Sequence, residues 1–133
     1  LAKEKNSIMF YSGICFGTND LDKAGKFYDL VFKTINVVRC QTTDNEIGYG
    51  SSIEEECFWV IKTFNKEQET RGNGSQMIIT ANSKDQVDLF HKTALQEGGQ
   101  CDGPPGLRDH TPNYYGAYIK DLDGNKIHIY KIL

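Results

Sequence analysis

A repeat at a fixed offset of 63 positions constrains the fold of this chain more than any other feature of its sequence. Residues 13–32 are echoed by residues 76–95, and in both copies an alternating apolar run leads into an amphipathic helical pattern. Self-similarity at one fixed offset is typical of folds that are built from duplicated units. The sequence therefore predicts two copies of one small module.

Each predicted helix has a polar cap and one apolar face. The helices follow Asn19-Asp20 and Asn82-Ser83, where side-chain oxygens accept hydrogen bonds from the free N–H groups of a first helical turn. Apolar residues then recur at the spacing of a helix with one buried face. They are Leu21, Ala24, Phe27, Tyr28 and Val31 in the first copy, and Val87, Phe90, His91, Ala94 and Leu95 in the second. Gly98-Gly99 ends the second helix, whereas the first has no such glycine and is predicted to end near residues 34–36.

Strand-like runs follow each helix. They cover residues 35–40, 47–49 and 57–62 in the first copy and residues 114–120 and 126–132 in the second, the last two joined by a tight-turn signal at 121–126. Each half therefore reads as βαβββ. We predict a first module at 9–64, a polar linker at 65–74 and a second module at 75–133, which together form one domain.

Composition limits the classes of function. The chain has 133 residues and a net charge of −3, and its Lys and Arg residues are scattered, which argues against a nucleic-acid surface. No run approaches the ~18 apolar residues of a membrane helix. Cys15, Cys40, Cys57 and Cys101 stand alone, so reduced thiols in a cytoplasmic protein are favoured over a disulfide framework or a zinc site. The polar residues 1–7 are predicted to be a tail outside the fold.

Several short motifs, read in order, resemble one superfamily. Residues 17–21 and 26–29 resemble the strand-to-helix entry of the glyoxalase/bleomycin-resistance/extradiol-dioxygenase proteins, also called vicinal oxygen chelate proteins. The runs 90–95, 97–99, 103–108, 113–118 and 121–127 look like a glyoxalase-like subgroup. The resemblance covers nearly the whole chain from residue 9 onward. It implies an α+β fold in which two tandem βαβββ modules form mixed sheets that curl around a central cleft.

The resemblance also implies where a metal ion would bind, and this chain departs from the pattern there. The usual His or Glu ligands fall on Gly13, Gln76 and His128, so one side chain is missing and no carboxylate remains. A catalytic divalent site needs about three protein ligands, and two neutral ligands hold an ion poorly. We therefore expect no cofactor and a degenerate metal site, in which any divalent metal would rely on Gln76 and His128.

Strand parity predicts the lining of the cleft, because side chains alternate between the two faces of a sheet. In the first strand Tyr11, Gly13 and Cys15 are expected to face the cleft, with Phe10, Ile14 and Phe16 packed on the helices behind. The missing side chain at Gly13 is expected to enlarge the space at the centre. The complete set of predicted ligand-binding residues is Tyr11, Gly13, Trp59, Gln76, Ile78, Arg108, His128 and Tyr130.

Two predicted site residues have alternative interpretations. Arg108 and His110 fall in a Gly/Pro-rich run, 103–112, which is predicted to be a loop over one mouth of the cleft. Arg108 is either a salt-bridged loop anchor or a clamp for a carboxylate or phosphate of the ligand. His128 is either an ordinary hydrogen-bonded histidine or a ligand contact, and His91 is most simply a packed residue at the edge of the core. Catalytic residues stay unassigned because no nucleophile with its base is visible.

Three functions agree with these observations. The leading hypothesis is a small-molecule-binding protein that acts without a metal ion, as the resemblance to bleomycin-resistance proteins implies. The alternative is a metal-dependent lyase, isomerase or dioxygenase related to lactoylglutathione lyase, and the third is a purely structural or regulatory module. A homodimer is expected, because paired modules cover strand edges that would otherwise stay open. The sequence leaves open whether the modules pair within one chain or between two.

Overall fold

The first half of the chain forms one βαβββ module. The computed structural model describes residues 10–133, so the predicted tail at 1–7 lies outside the described residues. The elements are β1 (Ile14–Thr18), α1 (Leu21–Lys33), β2 (Val38–Thr42), β3 (Glu46–Gly50), a short 3₁₀ turn (Ile53–Glu55) and β4 (Glu56–Lys62). The sheet order is β1-β4-β3-β2, with β1 and β4 parallel and the other pairs antiparallel.

The second half repeats the first. Its elements are β5 (Met77–Thr80), α2 (Lys84–Gln96), β6 (Gln100–Leu107), β7 (Tyr114–Lys120) and β8 (Lys126–Ile132). The order β5-β8-β7-β6, with β5 and β8 parallel, matches that of the first sheet strand for strand. The predicted α+β fold of two tandem modules with mixed sheets is thus confirmed. None of the described helices is long and apolar enough to cross a membrane.

The helix ends follow from local chemistry. The side chain of Asp20 accepts a hydrogen bond from the backbone N–H of Lys23, and Ser83 caps α2 through Gln86 in the same way. Gly98 has φ +99° after α2, as the sequence predicts. In the first copy Asn36 takes the left-handed conformation at φ 62°, because asparagine tolerates it better than other side chains. The strand predicted at 35–40 therefore begins later, at Val38.

Strand β6 was missed by the sequence analysis, which placed residues 103–112 in a loop. Gly103, Pro104, Pro105 and Gly106 all lie within the strand. It is one of the two edge strands of its sheet, and among the described residues it pairs only with β7, with register shifts on both sides of Gly103. Proline lacks an N–H donor and is tolerated where no strand lies on the outer side. The loop proper begins after Leu107.

One hydrophobic core joins the two modules. It contains residues of both helices and the helix-side residues of both sheets. Its largest fully buried members include Tyr28, Phe32, Phe58, Phe90 and Ile127. Phe32 of α1 packs on Phe90 of α2, with ring centroids 6.3 Å apart. Because both helices lie within this shared core, the helix-free face of each sheet lies outside it.

Asp121 fixes the first helix to the second module. Its carboxylate is 4% exposed and accepts hydrogen bonds from the hydroxyl of Tyr28, at 2.5 Å, and from the backbone N–H groups of Asp123 and Asn125. The side-chain amide of Asn125 donates in turn to the carbonyl of Gly17 in β1, at 3.1 Å. The tight turn between β7 and β8 therefore also serves as the polar joint between the modules.

Candidate functional site

The helix-free face of the second sheet carries a cluster of aromatic rings. Tyr114, Tyr118, His128 and Tyr130 come from β7 and β8, and we call this cluster the second open face. Their neighbours Ala117, Ile127 and Ile129 point into the core and are at most 1% exposed. The alternation of faces along β8, with His128 and Tyr130 on one side and Ile127 and Ile129 on the other, is as strand parity predicts.

The rings of the second open face are packed on one another. Tyr114 and Tyr130 stack with centroids 4.4 Å apart and an angle of 8° between their planes. The ring of Tyr118 lies 4.3 Å from that of His128. Gly116 makes room for this packing, since a Cβ there would lie 3.5 Å from Nε2 of His128 and 3.3 Å from the Tyr114 ring. The result is a rigid aromatic platform.

His128 is held neutral within the platform. It is 5% exposed, and its Nε2 lies 2.9 Å from the hydroxyl of Tyr114. Burial lowers the pKa of His128, and the positive charges of His110, Lys126 and Arg108 lower it further. Burial also raises the pKa of Tyr114, so the hydroxyl keeps its proton. This pair is therefore an uncharged hydrogen-bonding group at neutral pH.

Cationic side chains surround the platform. The guanidinium of Arg108 lies 5.2 Å and the ammonium of Lys126 5.0 Å from the centre of the Tyr118 ring. Lys126 also forms an ion pair with Asp102 at 2.9 Å. Arg108 donates to the carbonyl of Pro104 and, within residues 10–133, forms no ion pair with a carboxylate. The second open face thus combines aromatic surface with positive charge that is only partly neutralised.

The helix-free face of the first sheet has the opposite charge. We call it the first open face; it carries Cys15, Gly48, Glu56 and Trp59. Cys15 and Gly48 are the register partners of Trp59 on the two sides of β4. A register shift next to Gly50 places Glu56 on this face as well, so that a Cβ at Gly48 would collide with its carboxylate. Within the described residues, Oε2 of Glu56 is buried and has no hydrogen-bond partner.

The expected empty space at Gly13 is not there. A Cβ built on Gly13 would meet the carbonyl of Cys57 and, at 2.5 Å, the indole ring of Trp59. The prediction that the missing side chain enlarges the cleft is therefore wrong, because Trp59 fills that space. Phe10 also differs from expectation: it is 89% exposed instead of packed on the helices.

The structure divides the predicted site residues among three places. Arg108, His128 and Tyr130 meet at the second open face, and Trp59 lies on the first. The remaining four, Tyr11, Gly13, Gln76 and Ile78, line an apolar groove of about 480 Å³ between β1 and β5. Gln76 also lines a polar pocket of about 550 Å³, together with Arg71, Lys120 and Lys126.

The sequence analysis missed four residues that shape the open faces: Glu56, Tyr114, Tyr118 and Lys126. The parity rule places Tyr114, Tyr118 and Lys126 on the same face as His128, so the pattern was present in the predicted strands 114–120 and 126–132. The parity rule could not place Glu56 on the first open face. Its side chain points there because of the register shift between β3 and β4, which the sequence does not reveal.

The three positions that the resemblance assigns to metal ligands offer few donors. Gly13 offers no donor, and Nε2 of His128 lies against a tyrosine hydroxyl. The charges that lower the pKa of His128 would also repel a cation. Within residues 10–133, no group of three or more His, Cys, Asp or Glu side chains is arranged to hold a metal.

Solved structures of similar shape supply the comparison. A glyoxalase/bleomycin resistance protein from Albidiferax ferrireducens is 32% identical, with 92% of this chain and 98% of that chain covered and a TM-score of 0.80. A glyoxalase-related enzyme from Fulvimarina pelagi is 17% identical, with 93% and 88% covered and a TM-score of 0.74. The fosfomycin resistance protein FosX from Listeria monocytogenes is 15% identical, with 94% of each chain covered and a TM-score of 0.68. Neither a family model nor a curated protein sequence matches the chain.

Proposed function

Since the chain belongs to the glyoxalase/bleomycin resistance family, we propose that it binds a small aromatic anion on the second open face and does so without a resident metal ion. The observation that carries this proposal is the position of two cations, Arg108 and Lys126, over one tyrosine ring beside the uncharged His128. Small-molecule sites are mainly apolar and are oriented by a few polar groups. An aromatic ring suits the platform, and a carboxylate or phosphate suits the guanidinium of Arg108.

The site is completed by a second copy of the chain in this proposal. Both open faces lie outside the shared core, so the packing of that core covers neither of them. The first open face carries the half-buried carboxylate of Glu56, whereas the second carries Arg108, which has no ion pair with a carboxylate among residues 10–133. A homodimer that places the first open face of one protomer on the second open face of its partner brings opposite charges together. Trp59 then forms the far wall of the ligand cleft.

A cytoplasmic location completes the proposal. Cys15, Cys40, Cys57 and Cys101 are all free thiols. Free thiols persist in the reducing cytoplasm, whereas oxidising compartments favour disulfides. The donor set described above favours this metal-independent function over the metal-dependent lyase, isomerase or dioxygenase.

The test of the proposed function uses a matched pair of probes, 2-naphthoate and the uncharged 2-naphthylmethanol. We expect the carboxylate to bind about tenfold more tightly by calorimetric titration, because a charge-assisted hydrogen bond contributes about 1.5 kcal/mol or more. Arg108→Gln should remove that preference, and His128→Ala should weaken both probes. Lys92→Gln, which removes an exposed charge on α2, is the control. Equal affinity of the two probes for the wild type would reject the proposal, as would unchanged affinities in both site variants.

Metal retention is a separate prediction. Protein that is stripped by a chelator and dialysed against zinc, nickel, manganese or iron is expected to hold much less than one ion per chain after desalting. The physical reason is the donor set, which offers one amide and one imidazole beside positive charge. Elemental analysis measures the ratio, and one tightly held ion per chain would contradict the expectation.

A further inference from the structure

A histidine and a cysteine meet on the side of the second sheet that faces its helix. Nε2 of His91, on α2, lies 3.1 Å from Sγ of Cys101, on β6. His91 is 8% exposed, whereas Cys101 is exposed to solvent. The imidazole is thus fixed by packing while the sulfur stays accessible to a reagent. Neighbouring Asp102 points to the opposite face, where it pairs with Lys126, so this pair is separate from the second open face.

The imidazole of His91 is a base in its resting state. Burial lowers the pKa of His91, and the nearby carboxylate of Asp88 opposes this shift. That carboxylate also accepts a hydrogen bond from the hydroxyl of Tyr115 on β7. Lys92 is exposed on α2, and Lys120 on β7, the register partner of Gln100, belongs with Lys126 to the opposite face of the sheet. The unprotonated Nε2 lies 3.1 Å from Sγ and is placed to accept the proton of the thiol, although burial makes this imidazole a weaker base than a free histidine.

In the part of the chain that the structure describes, the other three cysteines have no such partner. Burial raises the pKa of Cys15 and of Cys57, and the carboxylate of Glu46 adds to the effect at Cys15. The thiol of Cys40 is directed at the backbone carbonyls of Val38 and Gly50. The thiolate is the nucleophilic form of cysteine, so these surroundings make the three thiols slow to react.

We propose that Cys101 is a reactive thiol, activated by His91, at which this protein exchanges with small-molecule disulfides. The proton of the thiol passes to Nε2 of His91, and the Cys101 thiolate attacks one sulfur of the disulfide. A new S–S bond forms to Cys101 as the original S–S bond breaks. The second half of the disulfide leaves as a thiolate and takes up the proton from the imidazolium. The product is a mixed disulfide on the exposed edge strand β6.

The experiment follows each cysteine separately. Wild-type protein is treated with 2,2′-dithiodipyridine, a neutral disulfide, from pH 5 to pH 9, and the modified peptides are quantified by mass spectrometry over time. Between pH 8 and pH 6 we expect the rate of Cys101 to fall about tenfold less than that of Cys57, because His91 accepts the thiol proton as the sulfur attacks. His91→Gln should bring the pH profile of Cys101 to that of an ordinary thiol and leave the profiles of Cys15 and Cys57 unchanged.

The experiment includes a check that His91→Gln is folded and a criterion that uses the wild type alone. The proposed dimer would cover Cys15, so the comparison rests on the pH profiles and not on absolute rates. Unchanged profiles of Cys15 and Cys57 in His91→Gln also show that this variant is folded. If the variant does not fold, the wild-type profile alone decides, since a rate for Cys101 that falls tenfold per pH unit below pH 8 would overturn the proposal. An unchanged Cys101 profile in folded His91→Gln would overturn it as well.

Discussion

Phe58→Ala is expected to lower the free energy of unfolding by about 3–5 kcal/mol. Phe58 is 2% exposed. Its ring lies within 6.0 Å, centroid to centroid, of four other aromatic rings, those of Phe16, Tyr28, Phe32 and Tyr49. Removing it leaves a cavity among rings that are fixed by one another and cannot collapse into the space. Urea unfolding followed by circular dichroism measures the loss.

The matched control is Phe64→Ala. Phe64 is 93% exposed, so the same substitution should change the free energy of unfolding by less than about 0.5 kcal/mol. A small loss for Phe58→Ala, similar to that of the control, would mean that the aromatic core repacks around the missing ring, contrary to the packing described above.

Trp59→Glu is expected to convert the protein from a dimer to a monomer. The wild type should sediment at twice the 15.0 kDa of the chain. The variant places a further carboxylate beside Glu56, whose buried oxygen has no hydrogen-bond partner among the residues that the structure describes, and it removes a large aromatic wall. Like charges brought together at an interface cost several kcal/mol. Sedimentation at micromolar concentration should therefore give the mass of one chain, and the affinity for 2-naphthoate should fall about tenfold or more.

Leu89→Glu is the control for this variant, since it makes the same change of charge at an exposed position on α2, away from both open faces. It should remain a dimer with unchanged affinity. A wild-type mass of 15.0 kDa would refute the dimer itself. A dimeric Trp59→Glu would show instead that the first open face does not form the interface.

Much of the fold was readable from the sequence because the local signals and the repeat agree. The apolar stripes of both helices were correct except for Leu95, which is 39% exposed. The caps at Asp20 and Ser83 and the strands Tyr114–Lys120 and Lys126–Ile132 were predicted correctly. Strand β6 was not, since Pro104 and Pro105 favour a loop unless the position of the strand at the edge of the sheet is known. Local propensity carries no information on which strand ends up at an edge.

The candidate site was less predictable than the fold. Parity identified His128 and Tyr130 as neighbours on one face, and the structure agrees. The parity rule did not indicate that Trp59 covers Gly13. That contact arises because the indole ring of Trp59 on β4 extends over the residue that precedes β1. Nor did the parity rule separate the groove between β1 and β5 from the second open face, since parity orders side chains within a sheet and does not place one sheet against another.

The two prolines of β6 limit how large an assembly of this protein can grow. Pro104 and Pro105 carry no N–H group, and because successive N–H groups of a strand point to alternate sides, about one donor is missing from the outer edge of β6. A strand from another molecule would find an incomplete set of donors along this edge and would bind it weakly. When two copies pair through their sheet faces, the assembly is complete as a dimer. When copies pair through their strand edges, each added copy exposes a new edge, so the polymer can continue to grow. By blunting an edge, these residues favour the closed assembly over open-ended polymers, even when the chain is abundant.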